Sequence, residues 1–391
     1  MKEAKKASVI GVTCVLTYVV NYYLRNMLSV LTPTLLSTGG FTVEHIANLS
    51  SIYMLLYAAG QLVNGFLGDR FSPKNMVTIG LVLSGASMVL FPFVPGEVLE
   101  VLCFAVLGFG LSMMRGPLMK IISENTQKDH ARLICVFFSF ASFAGPLIAS
   151  LFAMLNGWNL VFILAGAVAI GLGFLAYIIF SAMEAKGLVS YIKNEGVGIS
   201  SILSVFKIEN IVFYIIVACL VEVSYASIGQ WLTTYLTEHL YFSKNEANII
   251  YSGITTCRAC MPFVALFIFR LLKERDIPMM RGTFSIAGIA FGLLLIAPNR
   301  WISLGLLTVA LMAMSCTSAL LWSIYIPSLG KTGRVSSVNG VIDCIGYIAA
   351  AAANLLLANV MSHVGWNTVY LLWASIGVMG LVTTFIFKRK K

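Results

Sequence analysis

Apolar residues fall in long runs separated by short polar stretches, and nothing within the runs alternates with a period of two. About 20 apolar residues is the length a helix needs to cross a bilayer core about 30 Å thick. Backbone groups in lipid must bond within the chain, which leaves helices or a closed barrel, and barrel strands would alternate. The pattern predicts twelve helices, at 8–32, 45–70, 74–93, 97–124, 131–155, 158–182, 210–237, 245–272, 279–297, 300–328, 334–362 and 366–388. The longest polar interruption, "MEAKGLVSYIKNEGVGISSILSVFKIEN" at 183–210, divides them six and six. The expected organisation is an N-terminal six-helix bundle over 1–182, a cytoplasmic linker over 183–209 and a C-terminal six-helix bundle over 210–391.

Composition agrees. The 391 residues are 59% hydrophobic and 11% charged, where a soluble domain carries about 25% charged residues. An all-α membrane protein is implied and a soluble enzyme is not. The net charge of +10 changes meaning once it is placed on the spans. Of 26 Lys and Arg, 20 lie on the side of the termini and the central linker, and only Lys244 and Arg300 lie on the other. The positive-inside rule then puts both termini in the cytoplasm of a multi-pass cell-membrane (plasma or inner membrane) protein. The basic balance is an orientation signal with the lipid bilayer as partner, and no nucleic acid is expected. The opening MKEAKK and the apolar run after it resemble a signal peptide, but the run is too long and lacks a small-residue cleavage site, so a retained first span is expected. All eight cysteines fall inside spans, which argues against a disulfide framework.

The two halves echo one another. "GWNLVFIL" (157–164) opens the sixth helix and "GWNTVYLL" (365–372) the twelfth. "FTVEHIAN" (41–48) and "FSKNEAN" (242–248) stand at the start of the second helix of each half, and Arg132 and Arg334 begin the fifth. Three echoes in one order predict two pseudo-symmetric bundles. Such repeats place a binding site at mid-membrane, reached alternately from each side.

"GFLGDRFSPK" (65–74) carries Gly65, Leu67, Asp69, Arg70 and Lys74 in the spacing G-x-L-x-D-R-x-x-x-K. With twelve spans and an internal repeat, the chain resembles the major facilitator superfamily, in which this loop latches the two halves; Gly65, Asp69, Arg70 and Lys74 are the implied latch residues. Within it, "YYLRNMLSVLTP" (22–33), "YAAGQLVNGFLGDR" (57–70), "GFGLSMMRGPLMK" (108–120) and "VNGVIDCIGYIAA" (338–350) resemble the organophosphate:phosphate antiporters. The resemblance implies that Arg25 binds a substrate phosphate. The family's second clamp arginine would fall at Ser224 or Tyr225, and its second-helix lysine and fifth-helix histidine at Gln61 and Ser142. Half of that clamp is missing, so exchange of inorganic phosphate is not implied.

Charges within spans are costly and usually face the bundle interior. Asn21, Tyr22 and Arg25 lie on one face of the first helix. Arg25 there either holds an anion in a water-filled cavity or pairs with a neighbouring helix. Guanidinium offers a planar donor fork matched to phosphate or carboxylate. Arg115 lies on the fourth helix, Glu222 on the seventh, Arg258 on the eighth and Asp343 on the eleventh. Glu222, Arg258 and Asp343 either form a structural triad, or Arg258 replaces the missing arginine while Glu222 or Asp343 reads a substrate amine or carries a coupling proton. Lys120, near a helix end, is expected to snorkel. Tyr225, Tyr251 and Asn339 are candidate cavity neighbours. Three arginines against two acids leave the expected site at +1, suiting a monoanionic or zwitterionic solute.

Other motifs carry little. "GKT" (330–332) has Tyr325 where a phosphate loop needs glycine. Cys257 and Cys260 form C-x-x-C within a span without a second pair, and the four histidines form no ligand set. No metal, cofactor or catalytic triad is expected. The sequence thus predicts a monomeric secondary transporter of a small anionic or zwitterionic organic solute, a phosphate ester or related anion, working by rocker-switch alternating access. A proton-coupled carrier for a carboxylate, amino-phosphonate or drug-like solute is the first alternative. A transport-silent receptor for a phosphate ester is the second.

Overall fold

The computed structural model describes residues 2–38, 40–155, 157–192, 204–363 and 366–387. The linker's residues 193–203, Gly365 of the tryptophan echo and the basic terminus from Lys388 to Lys391 lie outside the described residues. Among the described residues there are twelve helices long and apolar enough to cross a membrane, and no strand.

Packing divides the chain into two compact units. The first comprises residues 1–205 and 326–344, so it takes in a piece of the second half of the sequence. Its helices are α1 (Lys2–Ser37), α2 (Val43–Arg70), α3 (Pro73–Leu90), α4 (Glu97–Ser112), α5 (Arg115–Asn125), α6 (Lys128–Ala153) and α7 (Trp158–Ala185). The second comprises residues 206–325 and 345–391. It contains α8 (Ile211–Thr234), α9 (Lys244–Leu271), α10 (Asp276–Leu293), α11 (Arg300–Ala319) and α13 (Trp366–Ile386). The helix α12 (Val335–His363) supplies its first ten residues to the first unit.

Each unit packs internally by the same scheme. In the first, α2 lies against α4 and α3 against α7; in the second, α9 lies against α11 and α10 against α13. The α3–α7 crossing is made by glycines: a Cβ on Gly85 would stand 2.6 Å from the Gly166 carbonyl oxygen. Gly288 and Gly377 meet in the same way between α10 and α13, where a Cβ on Gly377 would stand 2.5 Å from the Gly288 nitrogen. Lipid offers helices no hydrophobic reason to associate, so close backbone approach at small residues supplies the contact energy instead.

Two of the sequence echoes fall at helix starts. Thr42 caps α2 by accepting the His45 N–H at 3.1 Å, and Ser243 caps α9 by accepting the Glu246 N–H at 3.3 Å. Trp158 joins a cluster of Phe41, Phe91 and Phe162, while Trp366 packs against Tyr235 and His239.

Three predicted spans are less regular than the apolar pattern suggests. The fourth breaks at Met113–Met114 into α4 and α5. Pro117 has no N–H to give the Met113 carbonyl, so the ladder is interrupted one turn before it. The seventh and tenth end in wide π turns at Tyr235–His239 and Leu320–Tyr325.

Candidate functional site

Arg25 is held by a rigid stretch of α1. One turn before it, the Asn21 amide donates to the Leu111 carbonyl at 2.8 Å and to the Met114 sulfur at 3.4 Å, tying α1 to the break in the fourth span. The Tyr23 hydroxyl donates to the Ala165 carbonyl of α7. From α6, Gly145 approaches so closely that a Cβ there would lie 2.7 Å from the Tyr22 carbonyl carbon. Three helices therefore fix residues 21–23, and the backbone of Arg25 with them.

The Arg25 guanidinium lies 5.3 Å from the centre of the Tyr57 ring and 6.0 Å from that of Tyr22. It lines a cavity of about 150 Å³ with Asn26, Ser29, Ser50, Tyr53 and Phe104. Aromatic faces attract a cation. The cavity beside Arg25 is partly open and walled by hydroxyls and rings.

Arg115 opens α5 directly after the break. Its guanidinium donates to one Asp343 oxygen at 2.8 Å, and the Asn339 amide donates to the other at 2.9 Å. The carboxylate is 2% exposed and the arginine 14%. The charge of Arg25 also reaches Asp343 electrostatically.

Of the two readings of Glu222, Arg258 and Asp343, the structural triad does not hold for Asp343. Asp343 is engaged by Arg115 and Asn339, because the broken fourth span brings Arg115 to it. In the second unit, the Arg258 guanidinium stacks 3.9 Å over Tyr225, whose hydroxyl donates to Ser315 at 3.1 Å. Among the described residues, buried Arg258 Nε has no hydrogen-bond partner. Glu222 packs beside Gly346, and Tyr251 is 36% exposed. Asn21, expected on the cavity wall, is 1% exposed and committed to Leu111 and Met114.

The signature loop forms a second cluster. Asp69 is 2% exposed and accepts the backbone N–H groups of Ser336 at 3.1 Å and Ser337 at 2.8 Å, with the Ser337 hydroxyl as a third donor. The first N–H groups of a helix have no partner within it and carry the positive end of its dipole. Asp69 meets both needs for α12. A Cβ on Gly65 would stand 2.9 Å from Gly340 Cα, so only glycines permit this approach. Lys74 pairs with Glu184, and Arg70 is exposed beside Phe71.

Lys120 does not snorkel. It is 1% exposed, donates to the Asp69 carbonyl at 3.0 Å, and stands 3.5 Å from the Asp69 carboxylate and 3.9 Å from Glu124. Two buried acids beside it make retreat to the interface costlier than staying. Glu124, Tyr57 and the amides of Ser336 and Ser337 are the groups the sequence reading passed over. The spacing Lys120–Glu124, four apart on one helix, was the available signal.

Comparison with known proteins follows the same lines. The sequence profile of the Major Facilitator Superfamily matches residues 14–351. The membrane sensor protein UhpC of Salmonella typhimurium is 25% identical over 257 residues, covering 61% of this chain and 58% of the sensor. The probable sulfoacetate transporter SauU of Cupriavidus necator is 22% identical, covering 97% of this chain and 93% of its own. Among solved structures, the fucose:proton symporter FucP of E. coli superposes with a TM-score of 0.76 at 14% identity, covering 97% of this chain and 98% of that one.

Proposed function

This chain belongs to the major facilitator superfamily, a family of transporters and not of enzymes, and from that premise we propose that it is a secondary carrier for a small organic anion whose charged head is taken by Arg25. The observation that carries the reading is the position of Arg25: fixed through Asn21 and Tyr23, faced by two tyrosine rings and open to a cavity of about 150 Å³. Only a small group fits a cavity of that size. It suits a phosphate, sulfonate or carboxylate head with a short carbon tail.

Arg115 contributes as the partner of Asp343. An incoming anion competes with Asp343 for its guanidinium, and an amino group on the solute competes with Arg115 for Asp343. With Arg115 already paired to Asp343, a monoanion or a zwitterion is favoured over a dianion held at two arginines. Within the second unit, Arg258 on Tyr225 is proposed as an anion contact in its own right, with Glu222 and Tyr251 as proposed polar residues of that unit. Tyr22 completes the proposed polar lining in the first unit.

Transport proceeds by alternating access with both termini cytoplasmic, the solute driving the switch through its higher affinity for the occluded state. Asp69, with Gly65, Arg70 and Lys74 around it, serves as the conformational latch by capping α12. The test is a thermal-shift series on the purified protein with sulfoacetate, glycerol phosphate, hexose phosphate, acetate and a neutral sugar. Stabilisation by an anion that vanishes in Arg25→Ala is expected. Stabilisation that survives the substitution overturns the assignment.

The similarity to a membrane sensor supports one other reading, a receptor that binds a phosphate ester and does not move it. Flux of the stabilising anion into proteoliposomes separates the two.

A further inference from the structure

The chain leaves α7 by a turn that the sequence sets. Gly187 adopts φ +63°, a left-handed conformation, and the Leu188 N–H closes back on the Met183 carbonyl at 2.9 Å. Residues 188–192 are thereby directed across the end of α5. The Ser190 N–H donates to the Asn125 side-chain oxygen at 2.8 Å, and the Ile192 N–H to a Glu124 carboxylate oxygen at 3.0 Å. Val189 is 4% exposed, and the Tyr191 hydroxyl is buried.

The same segment reaches the turn that precedes α12. A Cβ placed on Gly333, itself at φ +66°, would lie 3.4 Å from Ile192 Cβ. Beside it, Gly330 backs onto the Ser123 carbonyl of α5. Glu124 neighbours Lys120, Lys120 neighbours Asp69, and Asp69 holds the first amides of α12. A continuous line of contacts within the first unit thus runs from the start of the central linker to the start of α12.

We propose that residues 188–192 are a clasp: by docking on Glu124, Asn125 and the 330–333 turn they hold residues 330–337 to the first unit, and release of those residues waits on the clasp peeling away. Glu124 is the positioning residue, since it joins the Ile192 amide on one side to Lys120 and the latch on the other. The inference rests on the transporter reading for its consequence, which is control over the step that opens the linker side of the protein. Its geometry does not depend on what solute is carried.

Hydrogen exchange at the Ser336 and Ser337 amides, read on the full chain in lipid nanodiscs, tests it without requiring transport. Ser190→Pro and Ile192→Pro each delete one clasp donor outside the membrane helices. Both are expected to speed exchange of the 335–341 segment at least about threefold, exchange being a measure of local opening. If a proline variant fails to fold, the pair Ile192→Cys with Gly333→Cys gives the converse test, because the Cβ separation of 3.4 Å is close to that of a disulfide. Oxidation is expected to slow exchange at least about threefold and reduction to restore it. Unchanged exchange in folded proline variants, or an oxidised pair that exchanges as fast as the reduced one, overturns the clasp. Failure of the anion assay alone leaves this measurement readable and overturns only the solute assignment.

Discussion

The Asp69 carboxylate accepts the Ser337 backbone N–H at 2.8 Å, across 268 residues of sequence, and so caps a helix to which it does not belong. Lys120 stands 3.5 Å away and balances the charge. Asp69→Asn is expected to lower stability by about 1–3 kcal/mol, since it leaves Lys120 poorly compensated in a buried site. Adding Lys120→Met should recover part of that loss. Thermal unfolding of the two single variants and the double measures the coupling, and strictly additive losses would contradict it.

At the candidate site the prediction separates ring from hydroxyl. Tyr57 faces Arg25 through its π system, so Tyr57→Phe should keep more anion affinity than Tyr57→Leu. Tyr57→Leu should weaken it by about 0.5–2 kcal/mol, the usual range for a cation over an aromatic face. Titration of the stabilising anion by calorimetry gives both numbers.

The Arg115–Asp343 pair makes a similar claim by a different route. Asp343→Asn removes the carboxylate charge from a guanidinium that is 14% exposed, and breaking a buried pair costs about 3–5 kcal/mol. Asp343→Asn with Arg115→Gln should cost clearly less than Asp343→Asn alone. Equal losses in the two would mean that the pair is not the reason for either.

Much of the fold was readable from the chain, for physical reasons that can be named. Apolar runs of bilayer length define helices because lipid forbids the alternatives. The F-T/S echoes at 41–48 and 242–248 were legible because helix capping needs a hydroxyl at a fixed offset from the first turn, as Thr42 and Ser243 supply. The partner of Asp343 was not legible. Arg115 is 228 residues away, and it arrives there through a helix break whose only local sign is Pro117. Lys120 was misjudged because position near a helix end says nothing of the acids that fold brings beside it.

Glycine crossings give a prediction independent of function. In Gly85→Ala the new methyl would meet the Gly166 backbone at 2.6 Å, so helices α3 and α7 must part. A loss of about 1–3 kcal/mol is expected. Gly171→Ala, on the same helix α7 with nothing within 4 Å, should be neutral or gain up to about 1 kcal/mol from helix propensity. Thermal unfolding of the pair reads the contrast.

His239 supplies the expected pH dependence. It lies past the α8 helix among Tyr235, Trp366 and Tyr370, and burial there lowers its pKa from the usual 6.5. The unfolded chain therefore binds a proton more readily than the folded one. Stability from this group is full above about 6.5 and falls as pH drops towards the lowered value. His239→Gln should flatten the unfolding temperature between pH 7.5 and 5.5 relative to the parent, and an unchanged slope would remove His239 as the cause.

The docking of residues 188–192 is made by main-chain N–H groups. A bond that any amino acid except proline can donate imposes little choice of side chain at 190, while the buried Val189 and the Ile192 side chain against Gly333 stay constrained by packing. What heredity must preserve is indirect: a glycine able to turn the chain at 187, another with room at 333, and acceptors at 124 and 125. Kinship in this region is therefore to be sought in those four places and in the distance between them, and a tally of identical letters along the linker will pass over it.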